Sequence, residues 1–177
     1  IPTSCNLHIM GLVIEDRLTA EDERFLLLCN EKALQARESG NHPFAALLAD
    51  KEGRVLMSSH NEFTTGGSCY HAETLLTLRA AKEYSPEVLA ECTLYTNFEP
   101  CVMCTGAVYW ANIGRIVYGV SERELLSLTG DNEENPTFSL SCRDVIRAGQ
   151  KTLHVAGPSD NEELKAVLLK AHKGFWK

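Results

Sequence analysis

The sequence has no run approaching the roughly 18 consecutive apolar residues that a membrane-spanning helix requires, so it offers no transmembrane candidate. It also has no cluster of lysine and arginine. The basic residues, Lys51, Arg79, Arg115 and Arg147 among them, are scattered singly in a chain of net charge −7, with 17 basic against 24 acidic residues. Neutralising a phosphate backbone takes clustered positive charge, so the balance points to a small substrate and away from nucleic acid. Repeats, low-complexity tracts and Pro/Ser-rich linkers are missing as well, which leaves residues 1–177 reading as one domain. Its 44% apolar content can supply a core without disulfides. The first residue is Ile1 and not Met, and Ile1 to Ile14 lack the basic-then-apolar pattern of a secretory leader; this reads as the start of a trimmed chain.

Cysteine is present, but in an odd number. Seven cysteines without a leader fit a disulfide framework poorly and a reducing compartment, the cytoplasm, better. Cys5, Cys29, Cys69, Cys92 and Cys142 stand alone and read as small buried apolar residues, with Cys69 the least settled because it lies close to His71.

Along the chain, Thr19-Ala-Glu-Asp22 reads as a capping box opening a helix, whose positions Phe25, Leu28, Cys29 and Leu34 point inward before Gly40-Asn41 ends it. Phe44 to Ala49, a turn at Asp50 to Gly53, and Val55 to Ser59 suggest a hairpin. Helices are expected over Ala72 to Lys82 and Cys101 to Asn112, and strands at Thr93 to Thr96, Arg115 to Gly119 and Lys151 to Val155. A final helix should start near Asn161, capped by Ser159, with Leu164, Val167, Leu168 and Ala171 inward. A hairpin followed by strand–helix–strand units implies an α/β fold, a three-layer α/β/α sandwich around a mixed sheet of about five strands. Ser121 to Gln150 reads as an acidic loop and a short helix, either a pocket wall or a solvated insertion.

The chemistry concentrates in His71-Ala72-Glu73 and Pro100-Cys101-Val102-Met103-Cys104, each at the start of a helix. Thiolates one helical turn apart point the same way, so Cys101 and Cys104 can share one ion with His71. Three protein ligands leave a position open for water, as catalytic zinc sites do and structural ones do not. Helix N-termini favour thiolate over thiol. Glu73, overhanging the same end, can take a proton from the water and deliver protons to a ring nitrogen and a departing amine. The Cys-x-x-Cys pair alone would equally suit a redox pair or half of a structural zinc site, but no second pair completes one.

His-x-Glu followed by Pro-Cys-x-x-Cys is the signature of zinc nucleobase deaminases. Together with Asn41-His-Pro-Phe-Ala-Ala46, Asn61, Leu94 to Ala107 and Arg115 to Gly119, it gives a chain that resembles the cytidine deaminase-like superfamily, in the branch of guanine, guanosine and tRNA adenosine deaminases. The resemblance implies about one Zn²⁺ per chain held by His71, Cys101 and Cys104, with Glu73 catalytic. It implies that Asn61 hydrogen-bonds the base, that Glu99 lies beside the metal loop and with Phe44 helps bind the substrate, and that backbone amides near Ala72 and Cys101 line the pocket. It further implies a five-stranded sheet, a homodimer, and closure of the site by C-terminal aromatics, Phe175 and Trp176, which otherwise read as a surface anchor. His42, His60, His154 and His172 have no partner motif.

Guanine to xanthine plus ammonia is the leading expectation for the reaction. The alternatives are tRNA adenosine deamination, which the acidic charge disfavours, cytosine deamination, and a noncatalytic zinc module in which Glu73 merely suits the helix dipole.

Overall fold

The computed structural model of the protein describes residues 11–176, so Cys5 lies outside the described residues. The chain forms β1 (Leu12–Glu15), α1 (Ala20–Glu38), β2 (Ala45–Ala49), β3 (Val55–His60), α2 (Phe63–Gly66), α3 (Ala72–Glu83) and α4 (Pro86–Ala90). It continues with β4 (Thr93–Phe98), α5 (Val102–Ala111), β5 (Arg115–Val120), α6 (Glu122–Thr129), α7 (Cys142–Arg147), β6 (Leu153–Ala156) and α8 (Glu162–Lys170). The strands make one six-stranded sheet in the order β1-β6-β5-β4-β2-β3. β2 pairs antiparallel with both β3 and β4, and the remaining pairs are parallel.

Strand side chains alternate between faces. Leu48, Leu94, Ile116 and Val155 join Leu76 of α3, Val108 of α5 and Ile146 of α7 in one cluster. Leu47, Tyr95, Val117 and Ala156 join Phe25 and Leu26 of α1 and Leu168 of α8 in the other. Helices therefore cover both faces, as a three-layer sandwich requires.

Several expectations need correction. The sheet has six strands and not five, because β1 adds an edge parallel to β6. It is only four residues long and half-buried, so it carries little pattern of its own. What fixes it is the Arg115 guanidinium, which donates to both oxygens of Glu15 at 2.7 and 2.9 Å and to both oxygens of Asp22 at 2.8 Å. Asp22 also closes the capping box with Thr19, and accepts from the Tyr95 hydroxyl at 3.0 Å. On α1 the inward stripe is Phe25, Leu26, Cys29, Ala33 and Ala36, while Leu34 is exposed. α8 is capped by Asn161, whose side chain accepts from Glu163 and Leu164 amides, and Val167 faces outward. Within 121–150 there are two helices, α6 and α7; Ser121 and Glu124 form a full capping box at the start of α6. The described cysteines are free thiols; Cys29, Cys92 and Cys142 are buried as expected, and Cys69 is exposed.

Candidate active site

Two helix starts face each other beside the centre of the sheet. His71 is the N-cap of α3, Cys101 the N-cap of α5, and Cys104 lies in the first turn of α5. The donor atoms of His71, Cys101 and Cys104 all lie within 4.8 Å of one another. Both sulfurs sit 3.6 Å from His71 Nδ1, which makes Nδ1 the nitrogen presented to a shared ion. The Cys104 sulfur is further held by the Thr74 hydroxyl at 3.2 Å. The set fits zinc: one imidazole and two thiols, buried or half-buried and close enough for one tetrahedral ion. A hydrogen bond from the Cys104 thiol, then one from His71, holds the Cys101 pKa well below that of an ordinary thiol against its burial; the same interaction, with burial, pushes Cys104 well up. Burial works against the His71 cation, but Cys101 and Glu73 outweigh it and raise its pKa.

Glu73, in the first turn of α3, is buried at 5% exposure. One of its oxygens accepts from the Thr96 hydroxyl at 2.9 Å, and the other lies 3.5 Å from the Cys104 sulfur. Burial raises its pKa, which suits a group that must both take and release a proton.

A cavity of about 30 Å³ opens onto this cluster, lined by Phe44, His71, Glu73, Glu99, Cys101, Glu122, Leu125 and Asn135. Of the residues singled out in the sequence, Phe44 and Glu99 thus stand at the site. Glu99 is largely spent on structure: it accepts from the Ser141 hydroxyl at 2.6 Å, the Cys142 amide at 2.9 Å and the Glu122 amide at 2.9 Å. Asn61 and Ala72 are buried near the cluster but do not line the cavity. The Asn61 side-chain oxygen Oδ1 accepts from the Phe63 amide at 2.9 Å and the His42 amide at 3.3 Å, which ties the loop before α2 to the loop before β2.

Trp176 is also outside the cavity. Its indole N–H donates to Nδ1 of the buried His172 at 3.1 Å, and burial pushes His172 down to about 3, so that ring stays neutral and can accept. The rings of His172, Phe44 and Phe98 pack together, at 4.9 Å between His172 and Phe44 and 4.3 Å between His172 and Phe98, so the C-terminal aromatics buttress Phe44 from behind. Phe175 and Trp176 instead border a separate cavity of about 480 Å³ with Asp131 to Glu134.

Sequence reading missed Glu122, Leu125, Asn135 and Thr96. Ser121-Glu-Arg-Glu124 carries a capping-box pattern that announces α6 and hence the first two. Thr96 lies on the same side of β4 as Leu94, two residues away, which turns it toward α3. Asn135 sits in an irregular stretch with no such signal.

This constellation on this fold defines a zinc-dependent deaminase. The profile of the "Cytidine and deoxycytidylate deaminase zinc-binding region" matches residues 19–120, and the chain belongs to that family. It is 36% identical to a "Probable cytosine deaminase" of Schizosaccharomyces pombe, over 90% of this chain and 94% of the relative. It is 35% identical to the guanine deaminase of Bacillus subtilis, across 46% of this chain and 53% of that one. In structure it resembles guanine deaminase from Nitrosomonas europaea, with a TM-score of 0.63 and 23% identity over 89% and 87% of the two chains. The protein is a hydrolase acting on C–N bonds with zinc as cofactor, and none of its described helices is long and apolar enough to cross a membrane.

Proposed function

We propose that the protein, a single deaminase domain, removes the exocyclic amine of a small nucleobase or nucleoside, with guanine to xanthine the leading reaction. The observation that carries this reading is the placement of Glu73, buried, steered by Thr96 and lying against the His71, Cys101 and Cys104 donors. These three residues would hold the ion, His71 through Nδ1. When bound, zinc supplies Lewis acidity that makes a water nucleophilic near neutral pH. Glu73 takes a proton from the attacking water and passes it to the ring nitrogen beside the amine-bearing carbon, then takes the remaining hydroxyl proton of the adduct and delivers it to the amine, which departs as ammonia while the carbonyl forms. Phe44 and Leu125 give the cavity apolar walls that exclude bulk water. A noncatalytic zinc module would leave the buried Glu73 carboxylate without a purpose.

A second reading, cytosine as substrate, is favoured by the likeness to the Schizosaccharomyces pombe relative over nearly the full chain. A tRNA substrate is disfavoured by the net charge of −7. The reading includes a homodimer: Trp110 is 80% exposed on α5, two turns from Met103, an apolar surface suited to a partner. It also includes a reducing compartment such as the cytoplasm, supported by the free thiols.

The test is ammonia release from guanine, guanosine, cytosine, cytidine and adenosine, beside inosine formation in an anticodon stem-loop, at low and high salt. Turnover of a free base or nucleoside is expected. Salt-sensitive deamination of the stem-loop alone would overturn the small-substrate reading.

A further inference from the structure

Three carboxylates line the cavity over the zinc cluster, and their surroundings divide their work. Glu73 is steered by Thr96 against the cluster. Glu99 is saturated by donors from Ser141, Cys142 and Glu122. Glu122 is different. Its residue is only 8% exposed, yet among the described residues its side chain has no hydrogen-bond or ion-pair partner. A carboxyl group in such surroundings ordinarily has a donor; burial, with Cys101, Glu99 and Glu73 close by, instead pushes the Glu122 pKa up to about 8, so an N–H placed against it would favour its ionised form.

The space around it supplies a second observation. At about 30 Å³ the cavity over the cluster has room for a water or so, and far less than a heterocycle needs. A neighbouring cavity of about 290 Å³ lies between α6 and residues 138–141, walled by Arg123, Leu126, Phe138 and Leu140. The residues shared by the two cavities are Glu99 and Glu122. A ring whose amine reaches the cluster must extend into further space, and on this side it passes Glu122.

We propose that Glu122 is a specificity-determining residue that accepts a hydrogen bond from a ring N–H of the substrate, and that the substrate is accordingly a 2-amino-lactam heterocycle whose far edge occupies the α6 cavity. The chemistry follows from what flanks the reacting carbon. Glu73 serves one neighbour, a ring nitrogen that gains a proton. In guanine, isocytosine and pterins the other neighbour is an N–H donor. In cytosine and adenine it is carbon, which offers a carboxylate nothing. A buried acceptor left unpaired penalises the wrong ring, by about 10- to 100-fold for one lost hydrogen bond.

The inference rests on the deaminase reading, and the experiment separates the two. Zinc-loaded protein is assayed for ammonia release from guanine, isocytosine, pterin, cytosine and adenine, and the Glu122→Gln and Glu122→Leu variants follow on the best substrate. Xanthine, which keeps the ring N–H and cannot lose an amine, is titrated calorimetrically against all three proteins, with zinc content and circular dichroism measured on each. A 2-amino-lactam should exceed cytosine and adenine in kcat/KM by at least tenfold. Glu122→Leu should lower kcat/KM on it about 100-fold, largely through KM, and weaken xanthine at least tenfold. Glu122→Gln, which keeps one acceptor oxygen, should fall between. Equal or better turnover of cytosine or adenine by the parent protein overturns the inference and leaves the deaminase standing, as does a Glu122→Leu variant that binds xanthine unchanged. Ammonia from none of the five overturns both.

Discussion

The Thr96 hydroxyl, fully buried on β4, donates to Glu73 Oε1 at 2.9 Å, with the Phe98 carbonyl at 3.0 Å as the competing acceptor. Through this contact the sheet aims the carboxylate proposed to move the protons. Thr96→Val keeps the shape and removes the donor. A hydrogen bond to a charged group contributes about 1.5–3 kcal/mol, so kcat should fall about 10- to 100-fold with zinc content unchanged. Thr96→Ser should restore most of it, which a purely steric role for the threonine would not.

Glu73→Gln keeps the volume but cannot relay a proton. Loss of activity by at least ~10²–10⁴-fold is expected, with zinc retained by elemental analysis. Near-parental turnover in a zinc-replete sample would mean that another group carries the protons.

Replacing any one of His71, Cys101 and Cys104 by Ala should remove metal and activity together. Three donors leave little redundancy. Parental protein should carry about one zinc per chain, measured by mass spectrometry of the metal. Full zinc in Cys104→Ala would refute the donor set.

The Asp22–Arg115–Glu15 network should set the acid limit of stability. Burial alone would raise the Asp22 pKa, but the Arg115 hydrogen bond and charge, with the Thr19 amide, hold it below its ordinary value. Its stabilising contribution is therefore complete above the unfolded value of about 3.9 and is lost as pH falls from there through the lower folded pKa. Removing the cation in Arg115→Leu leaves the buried Asp22 carboxylate with only the Tyr95 hydroxyl and the Thr19 amide as donors and should cost about 3 kcal/mol, read as a lower urea midpoint at pH 7. The variant should also lose less stability on acidification than the parent.

Much of this architecture was legible in the chain because its signals are local. A ligand pair one turn apart, a capping box and alternating strands each declare themselves within a few residues. That His71, Cys101 and Cys104 meet at two helix starts, with Glu73 beside them, was readable for that reason. β1 was not, since four half-buried residues become a strand only when Arg115, a hundred positions away, ties Glu15 into place. Glu122 carried a helix-start signal but nothing that revealed its cavity, because the wall opposite is built by residues 138–141. Glu99 looked like a ligand-facing carboxylate and is mostly a clamp, a distinction that depends on where Ser141 and Cys142 arrive.

That clamp makes the stretch from Arg123 to Leu140 a cassette. Its two ends are pinned to one carboxylate, through the Glu122 amide on one side and Ser141 with Cys142 on the other, while Glu99 itself belongs to the loop that leads into Cys101. Whatever length or composition lies between the pins, the ends return to the same point beside the zinc-binding loop. Such a segment can be exchanged or lengthened in evolution, or in the laboratory, with the hydrolytic machinery left in register. Chimeras that carry this stretch from a deaminase of different preference should therefore keep their zinc and alter chiefly which ring they accept.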